Sequence, residues 1–359
     1  MHTQNRFVAG ADMSEKLDRI SLQYGRAASD ELLGNLSGIA VNGDTMWTVS
    51  DEGRTIECLK ADGDGFVLRQ QYLIDDLGVD LPGAPNAKDI KGDELDLESI
   101  DFHDGLLWLC GSHCNVRKKP VREGQLNPEI RSRPSRHFLA RIKVKSDGCS
   151  LGKIAIAPRI GPGSIRAVLA KDPYIGPFVD LPSKENGLDI EGITVSDDKT
   201  LLGLRGPLLD GFAVVVHLQL SNRLSIKEYA LSFFDLGGLA IRDLTWIGGG
   251  VLIIAGPVSE AAGPFALYEW DGRTSSTIQH PRQIYQWQHG SENAGSSENP
   301  EGLCRLDRFG KPGYAMIYDH PRADRATGSV YFADWLSHEA LDTLGGAKLY
   351  CAPTVVKAD

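Results

Sequence analysis

Apolar positions in this chain fall in short alternating runs rather than at the three-to-four spacing of a helix. Alternation with a period of two marks a strand with one buried face. The runs come in pairs. In "LSGIAVNGDTMWTVS" one run ends at Asn42-Gly43-Asp44 and a second returns from Thr45. Gly, Asn and Asp tolerate the positive φ of a tight hairpin turn, so each pair predicts an antiparallel hairpin.

The same pattern recurs five times. Aligned on the residue before a small or polar one, its key positions are Ser37, Glu98, Glu191, Arg242 and Glu301. Turns follow at Asn42-Gly43-Asp44, His103-Asp104-Gly105, Asp197-Asp198-Lys199, Gly248-Gly249-Gly250 and Phe309-Gly310-Lys311. Returning strands read "TMWTVS", "LLWLCG", "TLLGLR", "VLIIAG" and "GYAMIYD", and a third run often comes after. An all-β unit repeated about every 50 to 60 residues predicts a β-propeller around one central channel. Five blades are expected, with six as the alternative if one repeat has drifted beyond recognition.

The interval from Glu98 to Glu191 is longer than the rest. It holds "CNVRKKPVREGQLNPEIRSRPSR", which reads as a long loop, and "GPGSIRAVLAKDPYI", which suits a short helix. "LDRISLQYG", residues 17 to 25, is a strand placed to close the ring beside the last blade. The expected organisation is an N-terminal segment over 1–34, the propeller over 35–340, and a C-terminal segment over 341–359 that packs on or closes it.

A hairpin brings its two ends to one edge of the sheet. The expected partners are Ser37 with Asp51, Glu98 with Ser112, Glu191 with Arg205 and Arg242 with Gly256, while Asp319 and His320 end the fifth pair. In a propeller these ends converge on one channel mouth. Two residues before each key position stand Asn35, Asp96, Asp189, Ala240 and Asn299. The Gly or Ser after the key residue leaves room for a ligand against the backbone. Asx residues there also cap turns, a purely structural role. Three glutamates about 6 Å apart repel by roughly 3 kcal/mol per pair at an effective dielectric of 20. A hard cation among the oxygens, a network with Arg205 and Arg242, or protonation of some carboxyls would each relieve this.

Composition narrows the partners. The chain has 359 residues and a formal net charge of −10. That excludes wholesale binding to nucleic acid or an anionic membrane, which needs basic patches. No apolar run reaches the length of a membrane helix. The first twenty residues lack a basic start followed by an apolar stretch, so a cytoplasmic protein is expected. The six cysteines form no C-x-x-C pair, and buried free thiols are expected of them. "ADGDG" at 61–65 lacks the further ligands of a calcium loop and reads as a turn. Lys118, Lys119 and Arg122 form a short basic cluster in the loop.

The stretches "NLSGIAVNGDTMWTVSDEG", "LDLESIDFHDGLLWLCGSH", "GLDIEGITVSDDKTLLGLRGPLLDGFAVVV", "LAIRDLTWIGGGVLIIAGP", "GPFALYEW" and "NPEGLC" together resemble a bacterial family catalogued as domain of unknown function 3616. That resemblance covers about residues 35 to 335 and implies no activity. The openings Glu191-Gly192 and Glu301-Gly302 look like those of phytase-like esterases and gluconolactonase-type propellers. This looser likeness implies a divalent metal at the mouth, with Glu191, Glu301, Asn299 and Asp51 as the corresponding positions. Arg242 and Ser37 depart from it, since two of five blades then lack the acid.

Two functions follow. In the first, a hydrolase acts on a small anionic ester, phosphoester or lactone. Glu98, Glu191 and Glu301, with Asp51 or Asn299, hold a divalent cation, calcium first; no organic cofactor is expected. Asp319, His320 or Glu191 acts as the base. Arg205 and Arg242 clamp the anion, with His113 beside them. In the second, the propeller is a non-catalytic platform whose rim charges form a salt-bridge network, and the 114–136 loop docks a protein partner.

Overall fold

The alternating runs fold as antiparallel strands in a computed structural model, which describes residues 17–84, 93–197, 199–259, 263–287, 298–308 and 310–345. They form five four-stranded blades. The innermost strands are Leu36–Asn42, Leu97–His103, Asp189–Ser196, Ala240–Trp246 and Asn299–Arg305. Each packs against the next, and the fifth packs against the first, closing the ring. This is the five-bladed propeller that the repeats predict.

Closure uses the chain's N-terminal side. Asp18–Gln23 pairs antiparallel with Val330–Ser337, from Asp18 opposite Trp335 to Gln23 opposite Val330. It is the outer strand of blade 5, as the sequence suggested. Its end also meets Gly65–Leu73 of blade 1 in a short parallel contact. Gly65 permits this approach, because a Cβ there would lie 2.5 Å from the Ser21 carbonyl oxygen.

Apolar side chains fill the seams between blades. Trp47, Val49, Leu97, Leu109 and Phe138 bury the seam of blades 1 and 2. The residue after each key position sits in such a seam. A Cβ on Gly192 would come within 3.0 Å of the Leu244 backbone nitrogen, and one on Gly38 within 3.0 Å of the Ile100 nitrogen. Where the slot holds Ser99 or Asp243, the side chain stitches blades instead. Ser99 Oγ donates to Asp243 Oδ1 at 3.0 Å and accepts from the Ile193 N–H at 3.0 Å, and Asp243 Oδ2 accepts from the Leu303 N–H at 2.8 Å. These small residues therefore serve blade packing, not the ligand approach expected of them.

The long interval differs from the expected loop. Asn115–Arg117 pairs with Ile130–Ser132 as a short hairpin. A helix over Ile165–Leu169 follows, capped by Ser164 Oγ, which accepts from the Ala167 N–H. "ADGDG" is a hairpin turn, with Gly63 at φ +57°. A last helix, His338–Gly345, packs against Arg282–Gln286 of blade 4. Residues 1–16 and 346–359 of the expected terminal segments lie outside the described residues. Among the described residues no helix is long and apolar enough to cross a membrane.

The expectation of free thiols throughout is corrected. Cys58, on the third strand of blade 1, is disulfide-bonded to Cys149, in the turn between the outer strands of blade 2. The spacing hid this pair, because it joins neighbours in space that lie 91 residues apart in sequence. Disulfides persist in oxidising compartments, so the thiol argument for a cytoplasmic location falls. Cys110, Cys114 and Cys304 are free and buried. Reduction should lower unfolding stability by about 2–4 kcal/mol, because the bridge restrains a long loop of the unfolded chain. Urea unfolding with and without reductant measures it, and Cys149→Ser should match the reduced protein. An unchanged midpoint would show that the bridge does not restrain the unfolded chain.

Candidate functional site

Each innermost strand carries a β-bulge at the same place. Pairing slips between Leu36 and Gly38, Leu97 and Ser99, Ile190 and Gly192, Ile241 and Asp243, and Pro300 and Gly302. The extra residue is therefore Ser37, Glu98, Glu191, Arg242 or Glu301, the repeat's key position in every blade. A bulge leaves one residue out of the ladder and re-aims its side chain. The bulge also corrects the expected partners. Asn35, not Ser37, lies level with Asp51 and accepts its N–H at 3.3 Å; Asp96 accepts from Ser112 at 3.0 Å. Ala240 pairs with Gly256 and Asn299 with Asp319. In blade 3 the return strand bulges too, and Arg205 stands unpaired at the step between Asp189 and Ile190.

These ends surround a cavity of about 620 Å³. Asp51, Glu98, Glu191, Arg205, Arg242, Asn299, Glu301, Asp319 and His320 all line it. His113 does not. Its φ of +57° turns it out of the return strand, and its ring stacks on His137 with centroids 5.9 Å apart. Its carbonyl accepts from Arg166 Nη1 at 2.6 Å, which fixes that orientation. Ser37 is buried and donates its hydroxyl to the Leu97 carbonyl.

Arginines tie most of the carboxylates. Arg205 places Nη2 2.6 Å from Asp189 Oδ2 and Nη1 2.6 Å from Glu191 Oε1. Arg242 lies between two glutamates, with Nε 2.8 Å from Glu191 Oε2 and Nη2 against Glu301 Oε1. Both guanidiniums are thus engaged, and neither is the free anion clamp expected of it. A third arginine, Arg136, pairs with Asp96 at 2.8 Å and with Glu94. Sequence reasoning missed Arg136 and Glu94, since Arg136 reaches the mouth from the far end of the insertion. Asp319 Oδ2 pairs with His320 Nδ1, while its Oδ1 accepts the His320 N–H at 2.7 Å.

The balance remains acidic. Asp51, Glu52, Glu94, Asp96, Glu98, Glu191, Glu301 and Asp319 line the cavity against Arg136, Lys184, Arg205 and Arg242 among the described residues, and Asp189 is buried behind Arg205. Glu98 has no ion pair among the described residues, and the buried Oδ1 atoms of Asp51 and Asp189 have no hydrogen-bond partner. Oxygens of Glu98, Asp189 and Glu191 lie within 4.8 Å of one another. This group could hold a metal ion. It shares Glu98 and Glu191 with the expected ligand set and has Asp189, whose Oδ1 is free, in place of Glu301, Asp51 and Asn299.

Burial and mutual repulsion show in the acidities. Burial, then the charges of Asp96 and Asp319, push the Asp51 carboxyl up to about 8. Burial lifts Glu191 to about 7 against the pull of Arg205 and Arg242. Burial and the negative charges of Asp96 and Glu191 hold Glu98 well above the usual range. The crowded carboxyls thus retain protons near neutrality.

Fold and site define a five-bladed propeller with an acidic, arginine-braced cavity at one mouth of its channel. Residues 35–334 match the family described as protein of unknown function DUF3616, and the chain belongs to that family. No curated protein matches. Among solved structures the chain is similar to the exo-β-1,3-galactanase of Phanerochaete chrysosporium with galactose, at 11% identity and a TM-score of 0.45. That match covers 92% of this chain and 66% of the galactanase, so the chain spans under two thirds of its length. The glutaminyl cyclase of Myxococcus xanthus matches at 7% identity and a TM-score of 0.41, over 88% of this chain and 94% of that one. The PQQ-bound aldose sugar dehydrogenase of Streptomyces coelicolor matches at 12% and 0.37, over 89% and 98%. At these identities none of those activities transfers to this chain.

Proposed function

We propose that the cavity is a hydrolytic site in which Glu98, Asp189 and Glu191 hold a divalent cation, calcium first. The substrate is a small ester, phosphoester or lactone. The observation that supports this is the unpaired Glu98 beside the orphaned Asp189 Oδ1, both within reach of Glu191. Carboxylate oxygens of this kind are the ligands of hard cations. The bound cation would polarise the substrate's carbonyl or phosphoryl oxygen.

The chain's own groups complete the reading. His320 directs Nδ1 to Asp319, which holds the ring and leaves Nε2 to take a proton from water. Asp51, protonated at neutral pH, returns a proton to the leaving oxygen. Arg205 and Arg242 hold Asp189, Glu191 and Glu301 in place as positioning residues.

The test is calorimetric titration of chelator-stripped protein with calcium, magnesium, manganese and zinc. Wild type should bind one cation, and Glu98→Gln should weaken it by about tenfold or more, since one charged ligand is lost. Hydrolysis of p-nitrophenyl acetate, p-nitrophenyl phosphate or a γ-lactone should then require that cation. Failure of every cation to bind, or equal binding by Glu98→Gln, would overturn the reading. A second reading has its own support. Arg242 bridging Glu191 and Glu301 is the salt-bridge ring of a non-catalytic binding propeller, and cation binding without turnover would favour it.

A further inference from the structure

The insertion after blade 2's return strand is a braced, basic projection on an acidic protein. Its base is fixed. Asn115 Nδ2 donates to the Asp180 carbonyl at 3.2 Å, and Arg117 pairs with Glu185 while donating to the Asn127 carbonyl at 2.9 Å. Within the projection the Lys118 N–H donates to the Glu129 carbonyl at 2.9 Å, and Asn127 Nδ2 donates to the Lys119 carbonyl at 3.1 Å. The segment therefore holds one shape before any partner arrives.

Its outer part has the wrong surface for a solvated loop. Val121 and Leu126 are 88% and 91% exposed, more than any other large apolar side chain among the described residues. Ile130, opposite Arg117 on the short hairpin, is exposed as well. Lys119, Arg122 and Arg131 belong to the same projection, are exposed and have no ion pair among the described residues, against one such acid, Glu123. The other basic groups of the insertion, Arg117, Lys118, Arg133 and Arg136, are paired with Glu185, Glu129, Asp93 and Glu94. Unpaired cations around exposed apolar groups are complementary to an acidic surface that carries apolar side chains of its own. The whole chain carries −10, so these cations are a local reversal of its charge.

We propose that the 117–131 projection is a docking element for an acidic, partly apolar protein segment. Lys119, Arg122 and Arg131 steer and orient that segment, and Val121 and Leu126 supply the apolar contact. The surface is separate from the cavity, whose lining takes only Val116 and Arg136 from this insertion.

Fluorescence anisotropy on the full chain tests this, with a labelled peptide of alternating Glu and Leu as the probe. Wild type should bind it, and affinity should fall as salt rises. The variant Lys119→Glu/Arg122→Glu/Arg131→Glu should bind about tenfold or more weakly. Val121→Ser/Leu126→Ser should also weaken binding but keep the salt dependence. All five side chains are exposed, so both variants should melt with wild type. Equal binding by wild type and both variants would overturn the proposal. So would failure to bind the peptide while phosphatidylserine vesicles or duplex DNA bind.

Discussion

Arg242→Ala is expected to lose about 3–5 kcal/mol of unfolding stability, because it leaves two buried carboxylates without their shared partner. Glu191 and Glu301 are 3% and 7% exposed. Arg242 lies between them, and Arg205 reaches only Glu191. Without Arg242, Glu301 has no cation among the described residues, and Glu191 keeps one instead of two. Urea unfolding near pH 7.5 reads the loss. Adding Glu191→Gln and Glu301→Gln to the same chain should recover much of it, since neutral amides do not need the guanidinium. At pH 5 the loss should shrink, because Glu191, already lifted to about 7, takes up a proton. A loss below about 1 kcal/mol would place the pair among solvated surface bridges.

Cation affinity should rise by about tenfold or more between pH 6 and pH 8.5, because the ligands must first give up protons. Burial lifts Glu98 well above the usual range, Glu191 to about 7 and Asp51 to about 8. In the unfolded chain such groups titrate near 4. Between about pH 4 and 8 the folded protein thus binds more protons than the unfolded one. Stability of the cation-free protein then falls as pH rises through that window. His113 and His137 work the other way. Burial first, then His137 and Arg166 at His113 and Arg166 at His137, depresses them to about 3 and about 4. Below about pH 6.5 the unfolded chain takes up protons that the folded rings refuse, so stability falls on acidification. A maximum between these limits is expected without cation, and added calcium should extend it toward high pH. Calorimetry in two buffers of different ionisation heat measures the proton release. A pH-independent affinity without release would mean that the carboxyls are already ionised.

The propeller was legible because its repeat is written in local chemistry. Alternation, Asn-Gly or Asp-Gly turns and the acidic openings all lie within one hairpin, and local features survive without tertiary information. The key positions were legible for the same reason, but their meaning was not. Alternation assigns a face to each residue on the assumption of an unbroken ladder, and one bulge per blade breaks it, so Ser37 was matched with Asp51 where Asn35 belongs. Arg136's pairing with Glu94 and the Cys58–Cys149 bridge rest on contacts between segments far apart in sequence. His113 was misplaced by a single positive φ that nothing in "LCGSHC" announces.

The bulge has a further consequence for how such a site changes. A bulge residue lies outside the ladder, so its exchange leaves the ladder hydrogen bonds in place and acts through the contacts of its side chain. The five positions hold Ser, Glu, Glu, Arg and Glu on one scaffold. An exchange among these types alters the charge at the channel mouth by one or two units. A propeller of this type is a dial with five settings, three of which, Glu191, Arg242 and Glu301, are coupled by ion pairs. Chains sharing this backbone could range from a cation trap to an anion cradle, and the residues at these five places would say which.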